Sequence, residues 1–128
     1  MRLLLDTHAL MWWLLDDPKL TRAAEDAIAS EDAEVFVSAV SAFEIVSKFR
    51  RGKLPDVTFL ATQMEEVLAA ESFAPLSLSM AHAKLAASLQ FDHRDPFDRL
   101  LIAQAMIEDM TLVSNQRLFD ETGVRRVW

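Results

Sequence analysis

At 128 residues and 52% hydrophobic content, the chain is long enough for one domain whose core needs no covalent staples. It has no cysteine, which excludes disulfides, zinc–thiolate centres and thiol chemistry. Its formal net charge of −7, from 13 Lys and Arg against 20 Asp and Glu, argues against a general basic surface for coating nucleic acid.

The N-terminal LLLDTH sets three leucines of a buried strand, Leu3 to Leu5, directly against Asp6. A carboxylate so close to a buried segment is costly unless something pairs with it. ALMWWLL, which follows, suits a buried helix. Asp6 interrupts the apolar run too early for a signal peptide. No segment approaches the ~20 apolar residues of a bilayer span, so a cytoplasmic protein without a membrane partner is expected. LTRAAEDAIAS (20–30) reads as a helix with Leu20, Ala24, Ala27 and Ile28 on one face.

VFVS (35–38) is a β-branched and aromatic strand. SAFEIVSKFRRGK (41–53) predicts a helix with Phe43, Val46 and Phe49 on one side and Gly52 as its stop. TFLATQMEEVLAA (58–70) predicts another helix, FAPLSL (73–78) a short extended segment, and SMAHAKLAASL (79–89) a helix. PFDRLLIAQAMIE (96–108) opens with proline at the first helical position, where its missing N–H costs nothing. TLVS (111–114) and VRRVW (124–128) complete the set as strands. Strands alternating with helices predict an α/β sandwich on a mainly parallel sheet, formed as a single domain over residues 1–128.

Chemistry in such sheets sits beyond the carboxyl ends of the strands, and the notable acids fall there. Asp6 ends the first strand, Glu44 is placed in the first turn of the helix after VFVS, and Asp95 and Asp98 open helix 96–108. Ser114, Asn115 and Gln116 follow TLV.

Each has an ordinary structural reading. Asp6 or Thr7 serves as an N-cap. Ser41 to Glu44 matches a capping box, and Glu44 has Lys48 four residues on. Asp95 before Pro96 is a good N-cap, and Asp98 complements the helix dipole. Jointly, three strand-to-helix junctions each bring an acid to one rim. Like charges gathered there repel unless cations fill the site, and hard divalent ions such as Mg²⁺ or Mn²⁺ prefer such oxygen ligands. An acidic chain of this kind remains compatible with cutting nucleic acid through metal ions.

LLLDTHALMWWL, SAFEIVSKFRRGKL, HRDPFDRLLIAQA and LVSNQRLF…VW, in this order and spacing, resemble a PIN-domain ribonuclease of the VapC toxin type. The likeness covers nearly the whole chain. It implies a three-layer α/β/α fold, Mg²⁺- or Mn²⁺-dependent cleavage of RNA, a cognate antitoxin and a homodimer. By position the core acids and metal ligands are Asp6, Glu44 and Asp98, with Asp95, Ser114 and Gln116 as auxiliaries. Ser114 keeps the family's hydroxyl. One position departs from the pattern: Gln116 stands where such toxins usually carry an aspartate. That favours one rival reading, a PIN-like binding or regulatory module with weakened turnover.

Lys48, Arg50, Arg51 and Lys53, just downstream of Glu44, read as a solvated face and as the best candidates for guiding a phosphate backbone. His8 is placed to touch substrate, to orient Asp6 or to make a first-turn hydrogen bond. His82 reads as structural or exposed, and His93 receives no role. Trp12 and Trp13 read as core or interface, and Gln104 inside an apolar helix has no explanation at this level.

Overall fold

Leu3, Leu4 and Leu5 are fully buried in strand β1 (Arg2–Leu5), as expected for a parallel strand covered by helices on both faces. The computed structural model describes residues 1–128, the side chain of Pro55 excepted. β1 is followed by α1 (Thr7–Leu14), α2 (Arg22–Ala29), β2 (Glu34–Ser38), α3 (Ala39–Arg50), α4 (Thr58–Thr62) and α5 (Met64–Ala70). Then come β3 (Ala74–Leu76), α6 (Met80–Ser88), α7 (Pro96–Ile107), β4 (Thr111–Val113) and β5 (Arg126–Val127). The five strands form one sheet in the order β3-β2-β1-β4-β5, with every pairing parallel.

Alternation along β1 divides the core. Leu3 and Leu5 pack with Leu10, Ala24, Ile28, Leu60 and Leu68 on one side of the sheet. Leu4 packs with Leu101, Ile102, Ala105, Met110 and Phe119 on the other. Burying each such leucine contributes about 1.5–3 kcal/mol relative to exposure. The three-layer α/β/α architecture is therefore present. No helix is long and apolar enough to cross a membrane.

Several local expectations need correction. Helix α3 starts earlier than position 41, because Ser38 caps it through Val40 N–H at 2.9 Å. The capping box at Ser41–Glu44 is thus absent, and Glu44 lies in the second turn rather than the first. The buried face of α3 carries Val40, Ser41 and Ile45, while Phe43 and Val46 are exposed. Ser41 is held inward by its hydroxyl contact with Thr7 at 3.1 Å.

The expected helix 58–70 breaks at Gln63, whose backbone leaves the helical region at φ −134°, ψ 42°. Just before it the Thr62 hydroxyl donates back to the Thr58 carbonyl at 2.8 Å, a bond that bends helices. Helix α7 is reached from α6 and not from a strand, so among the three sets of acids only Asp6 stands at a strand-to-helix junction.

Gln104 now has an explanation. It is fully buried, its Oε1 accepts the Ser38 hydroxyl at 2.6 Å and its amide donates to the Ser77 carbonyl at 3.3 Å. It ties α7 to the ends of β2 and β3. His82 is also buried: its Nδ1 accepts from Ser79 N–H at 3.0 Å, so Nε2 carries the proton and donates to Glu108 at 3.0 Å.

Candidate active site

The sheet order makes β1 the point where the chain's direction of travel reverses. β2 and β3 lie to one side and β4 and β5 to the other, so a crevice opens beyond the ends of β1 and β4. Asp6 occupies it. Its backbone N–H still donates to Val113 in β4, at 3.1 Å, while its side chain turns to cap α1 through Ala9 N–H at 2.8 Å. Only 5% of Asp6 is exposed. Burial pushes its pKa above the ordinary 3.8, opposed by the Ala9 and Ser114 hydrogen bonds and by His8, and reinforced by the charge of Asp98.

Helix α7 delivers the second acid from the opposite layer. Pro96 starts the helix, and Asp95 caps it through Phe97 N–H at 2.9 Å and Asp98 N–H at 3.4 Å. Asp98 in the first turn then faces Asp6 across a cavity of about 250 Å³. Burial again raises its pKa, the His93 hydrogen bond lowers it, and Asp95 and Glu44 raise it.

Helix α3 supplies the third. Thr7 donates its one hydroxyl proton to Glu44 Oε1 at 2.7 Å and so receives the proton of Ser41. Lys48 donates to the other Glu44 oxygen at 2.7 Å. Burial pushes the Glu44 pKa up, but these two hydrogen bonds outweigh it and hold it below the ordinary 4.5. Glu44 is the fixed anion of the set, whereas Asp6 and Asp98 resist ionising together.

Of the residues singled out in sequence, Asp6, Glu44, Asp98, Asp95, Lys48, Gln116 and His8 line this one cavity. Ser114 is fully buried beneath it, where its hydroxyl accepts from Gln116 N–H at 3.1 Å. Arg50, Arg51 and Lys53 are exposed and do not line it. His8 rests against Trp12, ring centroids 5.4 Å apart. Three residues without an expected role here take part. Thr7 holds Glu44, and His93 Nε2 lies 2.7 Å from Asp98. Arg99 binds carbonyls of the loop that carries His93. The only signal for the last two was their place within HRDPFDR.

A sheet of this order with acids at its switch point suggests a known nuclease architecture, and the chain's sequence decides the matter: residues 3–124 match the PIN domain. The chain belongs to the PIN-domain family. It is similar to Ribonuclease VapC22 of Mycobacterium tuberculosis, 28% identical over 114 residues that span 89% of this chain and 86% of the relative. In fold it resembles VapBC2 from Rickettsia felis bound to a promoter DNA fragment, with TM-score 0.73, 14% identity and coverage of 98% and 97% of the two chains. VapBC-1 from nontypeable Haemophilus influenzae gives TM-score 0.68 at 14% identity, covering 98% and 96%.

PIN nucleases generally use a divalent metal ion, and the donors of this PIN domain suit one. The cavity gathers carboxylate oxygens from three helices or helix caps, and two of those carboxylates have pKa values raised by burial and by the charge of neighbouring acids. His93, Asp95 and Asp98 each place one donor atom within 4.8 Å of the others. A hard divalent cation answers that excess of negative charge.

Proposed function

We propose that this PIN domain is an endoribonuclease that hydrolyses RNA phosphodiesters, and that it is the toxin partner of a toxin–antitoxin pair. The observation that carries the reading is the convergence of Asp6, Glu44 and Asp98, remote in sequence, on one cavity at the switch point of the sheet. The names of the relatives support both halves: the similar curated protein is a ribonuclease, and the similar structures are VapBC assemblies.

Asp6, Asp98 and Glu44 would hold the ion. Bound Mg²⁺ or Mn²⁺ supplies Lewis-acid polarisation of the phosphodiester and of the attacking water for in-line displacement. Thr7 and Lys48 keep Glu44 ionised and fix its direction. Ser114 holds the Asp6 carboxylate from below, and Asp95 rigidifies the turn that presents Asp98. Lys48, at the cavity wall, is placed to receive a phosphate oxygen of the backbone. Arg50, Arg51 and Lys53 would act only at longer range.

A segment of the antitoxin would cover this rim, and a homodimer is the expected assembly of the toxin. Structured RNA incubated with the purified protein and Mn²⁺ or Mg²⁺, beside chelator and Asp6→Asn controls, tests the reading. Cleavage that requires both the ion and Asp6 is the expected result. Tight RNA binding without cleavage would instead favour the regulatory module that Gln116 suggests.

A further inference from the structure

His93 stands where nothing in the carboxylate account requires it. It lies in the loop between α6 and α7, and its Nε2 is 2.7 Å from Asp98 Oδ2. Its ring packs against Phe91 and Phe119, with centroids 5.5 and 6.0 Å away, so the plane is fixed while the side chain stays 28% open to solvent. The loop itself is shaped by Arg99. That guanidinium donates to the carbonyls of Ala86 at 3.0 Å, Leu89 at 2.6 Å, Phe91 at 2.8 Å and His93 at 3.1 Å. Four bonds from one side chain, to the last turn of α6 and to three carbonyls of the loop after it, make a rigid mount, and what it presents to the cavity is an imidazole.

Two further facts concern the donors around it. Both cap bonds of Asp95 fall on Oδ1, which leaves Oδ2 for another partner. In the same cavity wall, position 116 carries a neutral amide. The 2.7 Å between Nε2 and Oδ2 is close to the ~3 Å that separates neighbouring donors around an octahedral ion with ~2.1 Å bonds.

We propose that His93 is a direct ligand of the divalent ion, through Nε2, beside Asp98 and Asp95. It would supply a donor to a cavity in which position 116 offers only a neutral amide. The inference rests on the metal-dependent reading above. A ring that coordinated through Nε2 would carry its one remaining proton on Nδ1. Carboxylates alone suit Mg²⁺ and Mn²⁺ alike, whereas an imidazole nitrogen favours first-row transition ions over Mg²⁺. The site is therefore biased towards Mn²⁺ and its transition-metal neighbours.

The test uses the full chain loaded with Mn²⁺ and read by electron spin-echo envelope modulation, which detects a coordinated nitrogen directly. The wild type should show that nitrogen. His93→Gln, whose amide can still donate to Asp98, should lose it, and His8→Gln should keep it. By calorimetry, His93→Gln should bind Mn²⁺ at least about tenfold more weakly, the scale on which metal-site partners act, with a smaller change for Mg²⁺. No coordinated nitrogen in the wild type would overturn the proposal and leave His93 as an orienting partner of Asp98. A signal that survives His93→Gln would overturn it equally. RNA cleavage by such a sample would leave the nuclease reading standing, whereas absence of both Mn²⁺ binding and cleavage would remove the two together.

Discussion

The Asp6 carboxylate takes the Ala9 amide as a helix cap, yet burial and the charge of Asp98 make its ionised form costly. Asparagine caps a helix about as well as aspartate, so Asp6→Asn separates the two effects. Because the folded pKa of Asp6 is raised, the penalty is absent below the unfolded pKa, grows as pH rises through the window between the two, and is complete above the folded one. Ion-free Asp6→Asn should therefore melt above wild type, with a gap that opens as pH rises past the ordinary 3.8, in thermal scans with chelator. The same variant should cut RNA more slowly by about 100-fold or more, the scale of losing a single electrostatic stabiliser. A variant that cuts at the wild-type rate would reduce Asp6 to a cap.

Gln116 is the other residue-scale test. Ligand charge is a main determinant of affinity for hard cations, so Gln116→Asp should lower the metal concentration for half-maximal cleavage. An unchanged titration would place position 116 outside the site.

Helices α3 and α7 come from distant parts of the chain, yet the cavity needs them in fixed relation. The Ser38–Gln104–Ser77 chain of hydrogen bonds is the polar bolt between them: Ser38 caps α3, and Gln104 lies in mid-α7. Gln104→Leu keeps the volume but strands the Ser77 carbonyl and frees the Ser38 hydroxyl. It should cost about 1–3 kcal/mol in urea unfolding, with an unchanged denaturant slope. A neutral outcome would mean that apolar packing alone sets the angle between the two helices. Phe43, exposed on the outer face of α3 and 5.7 Å from Phe97, lies outside this bolt.

Across the whole molecule, a cavity in which four acids face one lysine links ion binding to folding. An ion that binds only the folded state stabilises it by about 2.7 kcal/mol at 100 times its Kd. Mn²⁺ at that level should raise the melting temperature by several degrees, chelator should reverse the shift, and Asp98→Asn should abolish it. Expression without an antitoxin should arrest the host, and Asp98→Asn should relieve the arrest. Unimpaired growth with protein that proves active in the RNA assay would count against the toxin role.

The sequence by itself determined the elements that need only local information. Apolar Leu3 to Leu5 made a strand buried on both faces, Pro96 and its capping Asp95 started α7, and the motif blocks singled out acids that share one cavity in the fold. It misplaced the start of α3, since Ser38 and Ser41 are equally good caps on paper and only the end of β2 selects the first. It gave no site role to His93 or Arg99, no explanation of Gln104, and to Thr7 only a capping role that Asp6 takes; their partners are mostly tertiary: the Ser41 and Glu44 side chains for Thr7, loop carbonyls for Arg99, the ends of β2 and β3 for Gln104. His93 and Asp98 are only five residues apart, but a loop folded around Arg99 brings them together. Residue type and short-range spacing carry propensity and capping. Which distant polar groups meet is decided by the packing of helices on both faces of the sheet, and that information exists only once the chain has folded.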